Sequence, residues 1–238
     1  MPVTPAPARA SFVRALFFTL VALLVEATLL ALALGGVPAL LGHAPALALI
    51  AIWTASNFTL AVLRPVGPQD VARRVADAPL VMLTLFFVPL LATPLSALGE
   101  RLGLATGPWG ALPAPAAAAI VWSGVALTAI GLAIRISAMR RLGARFSPRI
   151  ALQRAHALET GGLYARIRHP GYLGAMLATL GGVLAFRSML AWPLVALMYV
   201  AESARARREE ALLEDHFGET YRAYRSRTGR FLPRLSRR

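Results

Sequence analysis

Residues 161–174 read GGLYARIRHPGYLG, and an apolar stretch, 171–201, begins inside this sequence. The charged sequence ARARREE follows at residues 204–210. One polar pair, Arg187-Ser188, interrupts the apolar stretch near its middle. A single helix would hold the two polar ends of the stretch apart, whereas two helices joined at this pair bring them together. The fold of the chain therefore depends on how this stretch is divided.

Composition indicates that a lipid bilayer is the solvent for most of the chain. Hydrophobic residues make up 57% of the 238 residues and charged residues only 15%, whereas a soluble domain carries about 25% charged residues. Four further apolar runs are long enough for membrane helices and too long for strands: about 11–34, 45–63, 78–98 and 116–136. We therefore predict an all-α integral membrane protein.

The arginines predict the topology. All 25 basic residues are arginine, and 23 of them lie in four segments: 1–14, 64–77, 135–170 and 201–238. An excess of arginine marks cytoplasmic loops, so both termini belong on the cytoplasmic side. A turn at residues 186–188 is needed to return the chain to that side after residue 170. The prediction is about six transmembrane helices, the last two a short hairpin, followed by a charged cytoplasmic helix.

The net charge of +14 does not indicate nucleic acid as a partner. The arginines alternate with apolar runs, an arrangement that suits anionic lipid headgroups. The chain has no cysteine, which excludes disulfides and thiolate metal ligands. Its histidines do not stand at the spacing of metal ligands, so we predict no metal site.

The predicted hairpin places its two polar ends side by side. At the first end, Tyr164, His169 and Tyr172 supply flat rings with hydrogen-bonding tips. Pro170 is suited to the first position of the next helix, because proline has no backbone N–H to donate and its φ angle is already helical. This end of the hairpin therefore offers ring surfaces at the start of a helix.

The second end of the hairpin supplies charge. Arg205 and Glu209 stand four residues apart and share a helix face. Glu209 and Glu210 point about 100° apart, so one can face the site while the other faces water or an arginine. Rings, a carboxylate and arginines together suit a ligand with an adenine ring, ribose hydroxyls and a zwitterionic tail. Taken singly, the same residues are typical of interfacial anchors and of a solvated helix.

The ordered set Arg168-His169-Pro170-x-Tyr172-x-Gly174, an apolar hairpin and Glu209-Glu210 resembles the signature of the isoprenylcysteine carboxyl methyltransferase and phospholipid methyltransferase family. Flanking sequences resemble the same family: 135–143, 161–164 and 217–224. The resemblance covers about residues 125–235. It divides the chain into N-terminal transmembrane helices, 1–124, and a methyltransferase core, 125–238.

The resemblance implies a membrane methyltransferase that uses S-adenosylmethionine, bound on the cytoplasmic side. It implies a lipophilic or small methyl acceptor, with a carboxylate such as that of an isoprenylcysteine favoured over an amine or a thiol. The implied cofactor-binding residues are Tyr164, His169, Pro170, Tyr172, Gly174, Glu209 and Glu210. Arg205 is the implied catalytic residue, as the partner of an acceptor carboxylate. His169 is a second catalytic candidate on chemical grounds, because an amine or thiol acceptor must be deprotonated and an imidazole can assist.

Two other functions stay open from the sequence. A membrane reductase that uses NADPH would share a helical bundle, but the sequence shows no signature for its 2′-phosphate. A non-enzymatic transport or assembly protein would need polar groups at depth, and the first helices offer only Glu26 and Asn57. For each function the expected location is the plasma (inner) membrane. The sequence indicates no oligomeric state.

Overall fold

The computed structural model describes residues 8–63, 71–74, 76–104, 106–109, 111–146, 150–153 and 157–234. The helices are α1 (Ala8–Leu34), α2 (Val37–Leu41), α3 (Ala44–Leu63), α4 (Pro79–Arg101), α5 (Ala114–Leu142), α6 (Pro170–Leu184), α7 (Trp192–Phe217) and α8 (Glu219–Arg227). Single 3₁₀ turns lie at Gly107–Trp109, Gly143–Arg145 and Gly162–Ala165. The predicted all-α class is confirmed.

In the described part of the chain, four helices are long and apolar enough to cross a membrane, namely α1, α3, α4 and α5. They coincide with the four apolar runs predicted ahead of the hairpin. The hairpin helices are different: α6 has only 15 residues, and α7 continues from an apolar start into its charged half. At a rise of about 1.5 Å per residue, α6 is roughly 22 Å long, less than the hydrocarbon core of about 30 Å.

A two-stranded antiparallel sheet departs from the purely helical prediction. Strand β1 (Val71–Arg74) pairs with β2 (Ala151–Gln153), with Val71 opposite Gln153 and Arg74 opposite Ala151. Both strands belong to arginine-rich segments between helices, where the backbone groups find partners across the pair. The sheet joins the segment before α4 to the segment between α5 and α6.

The predicted hairpin is confirmed, with its turn between α6 and α7 at residues 185–191. The end of α4 holds this turn: Arg187 Nε donates to Glu100 Oε1 at 2.8 Å, and Ser96 Oγ lies 2.8 Å from the Phe186 carbonyl and 3.1 Å from the Ser188 carbonyl. Carbonyl groups at a helix end lack partners within the helix. Ser96 therefore supplies the donor that lets the turn be buried.

Glycines bring α5 and α6 into backbone contact. The sequence places Gly124 and Gly131 seven residues apart, and in the structure they lie against Gly181 and Gly174 of α6. A Cβ atom added to Gly131 would stand 2.5 Å from the Ala178 backbone nitrogen and 2.6 Å from the Gly174 carbonyl oxygen. The two helices therefore pack closely at this glycine pair. This packing sets the depth of α6, and with it the position of the residues at the start of α6.

Replacing Gly131 with alanine should therefore destabilise the fold. The added methyl group meets backbone atoms, which cannot rotate away, so we expect the free energy of unfolding to fall by about 1–3 kcal/mol. Denaturation in detergent micelles measures it. Gly42→Ala is the matched control, because a Cβ there meets nothing closer than 3.6 Å. Equal stability of the two variants would contradict the proposed helix contact.

Candidate active site at the start of the hairpin

His169 stands at the start of α6, one residue before Pro170, which occupies the first helical position as predicted. The side chain of His169 is only 5% exposed. Its ring stacks on the Tyr172 ring, with centroids 5.1 Å apart and planes 9° from parallel. The two rings lie one helical turn apart, so the helix itself supports the stack.

Glu210 of α7 is the charged centre of the site. Its Oε1 atom accepts from Arg168 Nε at 2.9 Å and lies 3.2 Å from His169 Nε2, and Arg230 donates to Oε1 and Oε2 at 3.1 and 2.7 Å. The Glu210 side chain is 4% exposed. Burial alone would raise its pKa, but the hydrogen bonds from His169, Arg230 and Arg168 hold the pKa of this carboxyl well below its usual range. Both oxygens of Glu210 are thus occupied by the chain's own side chains.

The segment after α8 closes over the start of the hairpin. The backbone N–H of Arg168 donates to the Gly229 carbonyl at 2.8 Å, and that of His169 donates to the Arg230 carbonyl at 3.0 Å. The Arg168 guanidinium also donates to the Thr228 carbonyl. The sequence analysis did not select Arg168 or Arg230 as site residues. Arg168 opens the signature quoted there, which was a usable signal, whereas Arg230 lies in a tail so rich in arginine that the sequence does not single it out.

Glu209 has different surroundings from its neighbour. Its side chain is 34% exposed, and its Oε2 atom accepts from the Tyr172 hydroxyl at 2.5 Å and lies 3.6 Å from His169 Nδ1. Arg205 Nε donates to the same Tyr172 hydroxyl at 3.1 Å. Arg205 also lies 3.7 Å from the Asp77 carboxylate, which precedes α4. The structure therefore brings His169, Tyr172, Arg205 and Glu209 together, as the hairpin prediction required.

Tyr164 and Gly174 lie at the edge of this group. Tyr164 is buried in a 3₁₀ turn, and its carbonyl accepts from the Tyr224 hydroxyl at 2.8 Å. Gly174 lies against Gly131 and Arg135 of α5. The contact with α5 gives Gly174 a structural reason for its identity, whereas Tyr164 makes its contact through the backbone. Their role in binding a cofactor stays a prediction.

An apolar cleft opens beside the histidine. Its volume is about 470 Å³, within the range of small-molecule sites. The lining residues come from α6, α7 and the C-terminal segment: Leu173, Met176, Tyr199, Arg230, Phe231 and Leu232. The Phe231 ring in its wall lies 6.2 Å from the His169 ring, centroid to centroid. A ligand with an apolar part can therefore lie next to the polar cluster.

Glu210→Gln should unfold the site, because it leaves Arg168 and Arg230 without their carboxylate. We expect a loss of about 3–5 kcal/mol in the free energy of unfolding, as for other broken buried pairs. The control is Glu214→Gln on the same helix, whose exposed ion pairs with Arg222 and Arg225 should be worth less than about 1 kcal/mol. Denaturation of both variants in detergent micelles measures the two losses in the free energy of unfolding, and equal losses would contradict the central role of Glu210.

Lowering the pH should weaken the same interaction, because it protonates the Glu210 carboxylate. Because the pKa of Glu210 is lowered on folding, its ionised form stabilises the fold above the pKa of an unfolded glutamate, about 4.3. The contribution is lost as the pH falls from there toward the folded pKa. The wild-type protein should lose stability more steeply below about pH 4 than Glu210→Gln. Parallel acid profiles would contradict the assignment.

The region that contains this site also matches known proteins in sequence. Residues 124–215 match the family described as "Isoprenylcysteine carboxyl methyltransferase (ICMT) family". The protein-S-isoprenylcysteine O-methyltransferase of Schizosaccharomyces pombe is 33% identical over 114 residues, which are 47% of this chain and 48% of that protein. Its counterpart from Homo sapiens is 30% identical over 124 residues, 48% of this chain and 42% of that protein.

The chain spans about half the length of the curated relatives that it matches. A solved structure of the eukaryotic intramembrane Ras methyltransferase ICMT aligns with a TM-score of 0.48 and 17% identity, over 78% of this chain and 67% of that chain. That structural similarity is too low to bear on the site, whereas the sequence matches fall on the hairpin and its charged helix. They confirm the resemblance, which is to the isoprenylcysteine carboxyl methyltransferase family and extends over residues 124–215 of this chain.

Proposed function

We propose that the chain is an integral membrane methyltransferase that uses S-adenosylmethionine and methylates the carboxylate of a lipophilic acceptor of the isoprenylcysteine class. One observation carries this proposal: the hairpin brings His169, Tyr172, Arg205 and Glu209 into one cluster beside an apolar cleft. The cluster lies within the region that matches the family. The relatives are named as O-methyltransferases of protein S-isoprenylcysteine.

The residues at the start of α6 fit the chemistry of S-adenosylmethionine. Glu209 is the partly exposed carboxylate of the site, so it is available to accept from ribose hydroxyls or an ammonium group. The stacked rings of His169 and Tyr172 offer a flat surface. Glu210 holds the start of α6 in place through its contacts with Arg168, His169 and Arg230. When bound, the cofactor supplies a methyl group on a sulfonium ion.

A carboxylate acceptor needs little chemical help from the chain. It is already a nucleophile at neutral pH, so positioning and exclusion of water supply most of the acceleration. Arg205 is buried next to Tyr172 and carries the positive charge that an acceptor carboxylate requires. The apolar cleft beside His169 has walls suited to the hydrocarbon part of such an acceptor.

We place the site on the cytoplasmic side of the plasma (inner) membrane. The arginine-rich segments that precede α6 and follow the apolar part of α7 support this orientation, since both flank the site. The same orientation puts both termini in the cytoplasm. An acceptor anchored in the bilayer then reaches the site from the apolar side of the helices.

His169→Ala tests the proposal. It removes the stacked ring and the contact with Glu210, so we expect S-adenosylmethionine to bind about 10- to 100-fold more weakly, since each lost interaction of this kind is worth about 1 kcal/mol. Isothermal titration of the full chain in lipid nanodiscs measures the binding. His216→Ala is the matched control, because His216 is exposed near the end of α7.

A methyl-transfer assay, together with the same binding titration, distinguishes a methyltransferase from a reductase and from a non-enzymatic protein. Methyl transfer from labelled S-adenosylmethionine to N-acetyl-S-farnesylcysteine, lost in His169→Ala and kept in His216→Ala, would support the proposal. Tighter binding of NADPH than of S-adenosylmethionine would favour a reductase instead. Failure of the folded wild-type chain to bind either cofactor would favour a non-enzymatic membrane protein.

A further inference from the structure

A second buried carboxylate lies closer to the apolar half of α7. Glu202 is 4% exposed, and its Oε2 atom has no hydrogen-bond partner in the described part of the chain. It precedes Arg205 by three residues and Glu209 by seven, so all three share one face of α7. Glu202 therefore lies on the same side of α7 as the proposed site residues Arg205 and Glu209, one to two helical turns closer to the apolar start of α7.

Asp77 adds to this arrangement. Its side chain is 3% exposed, and its Oδ1 atom also lacks a partner among the described residues, while its Oδ2 atom lies 3.7 Å from Arg205. Glu202 and Asp77 are close enough for their charges to interact. A buried carboxylate oxygen without a donor costs free energy. Such atoms mark a place where a ligand supplies the missing hydrogen.

The contrast with Glu210 shows which carboxylate is available. Arg168, Arg230 and His169 occupy both oxygens of Glu210, so a ligand would have to displace the chain's own cations. Glu202 has an oxygen to offer at no such cost. The ligand that suits it carries a hydrogen-bond donor, and a neutral donor is favoured over an anion beside two carboxylates.

We propose that the chain also methylates lipophilic thiols, with Glu202 as the catalytic base that accepts the thiol proton. This inference rests on the proposed use of S-adenosylmethionine, and it adds an acceptor class that the names of the relatives do not contain. The thiol proton passes to Glu202 Oε2, and the thiolate sulfur bonds to the methyl carbon. The bond from that carbon to the sulfonium sulfur breaks, its electron pair stays on that sulfur, and Glu202 then releases the proton to water.

The surroundings of Glu202 match a thiol. Burial raises the pKa of Glu202 to about 7, which approaches the thiol value of about 8.5 and stays well below that of an ammonium or a phenol, about 10. Arg135 of α5 and Arg205 oppose the rise, while Glu209 and Asp77 add to it. These groups, together with Tyr172 of α6, are the charged and titratable groups that act on Glu202 from the elements around it.

The acceptor is lipophilic because the cluster lies against apolar helix surface. The sulfur of Met82 on α4 lies 3.9 Å from Arg205 Nη1. Around Met82, α4 exposes further large apolar side chains: Leu80, Leu83, Phe86 and Phe87. A hydrocarbon chain in the bilayer can follow this surface to the cluster, which favours an alkyl thiol over a water-soluble one.

The test compares two acceptors in the full chain, reconstituted in lipid nanodiscs with labelled S-adenosylmethionine: 1-octanethiol and N-acetyl-S-farnesylcysteine. Glu202→Gln keeps the size of the side chain and removes its basicity. We expect the ratio of thiol to carboxylate methylation to fall about 100-fold or more, as for the loss of a general base. Glu26→Gln is the matched control, because Glu26 of α1 is also a glutamate with an unpartnered oxygen, and the ratio should not change.

The pH profile separates catalysis from structure. An ionised base is required, so wild-type thiol methylation should rise with pH and level off above about pH 7, where Glu202 is ionised. In Glu202→Gln the rate should instead keep rising toward the pKa of the free thiol, about 8.5 or above, because only solvent removes the proton. A purely structural defect would lower the methylation rates of both acceptors together and would leave the shape of the pH profile unchanged.

The outcomes are distinct from failure of the proposed function. Absence of thiol methylation by a wild-type chain that methylates the carboxylate would overturn this inference alone. An equal loss on both acceptors in Glu202→Gln, or no loss, would overturn it too. Thiol methylation without carboxylate methylation would support it and refute the proposed acceptor. Absence of S-adenosylmethionine binding would refute both.

Discussion

The site depends on one buried carboxylate shared by three segments of the chain. Glu210 in α7 meets Arg168 and His169, which precede α6, and Arg230, which follows α8. A charge buried this deeply is tolerated only when it is paired and hydrogen-bonded. Each segment therefore needs the others, and the hairpin, the C-terminal segment and the His169 ring form one unit.

The opposite end of the hairpin is held by uncharged contacts and one ion pair. Ser96 donates to a carbonyl of the turn and Arg187 pairs with Glu100 there, while Gly131, nearer the start of α6, lets α6 lie directly on α5. These contacts fix the depth and rotation of α6. His169 stands at the start of that helix, so its position is decided by packing along the whole of α6 as well as by Glu210.

Three glutamates within nine residues of α7 have three different environments. Glu210 accepts from two arginines, Glu209 is partly exposed and accepts from Tyr172, and Glu202 is buried with one oxygen unpartnered among the described residues. The helix explains the difference: residues 202 and 209 share a face, whereas residue 210 is turned about 100° away. One residue type thereby provides a structural anchor and, in the functions proposed above, a ligand-facing carboxylate and a buried base.

Much of this protein could be read from its sequence. The length of the apolar runs predicted the membrane helices, because the bilayer sets the length that a helix needs. The arginine distribution predicted the turn near Arg187-Ser188, because charged loops stay in the cytoplasm. Once the hairpin was inferred, the meeting of His169 and Tyr172 with Glu209 followed from it. These features depend on local sequence patterns, or on helix length and arginine placement, which the membrane constrains.

Only the tertiary structure decided which of many similar residues meet. Arg168 and Arg230 lie 42 and 20 residues from Glu210. The signature draws attention to Arg168 without naming its partner, and nothing local distinguishes Arg230 from the other arginines of the tail. The pairing of β1 with β2, the saturation of Glu210 and the burial of Glu202 likewise arise between segments distant in sequence. An isolated sequence specifies the types of groups and their helical faces, whereas burial and pairing are properties of the packed chain.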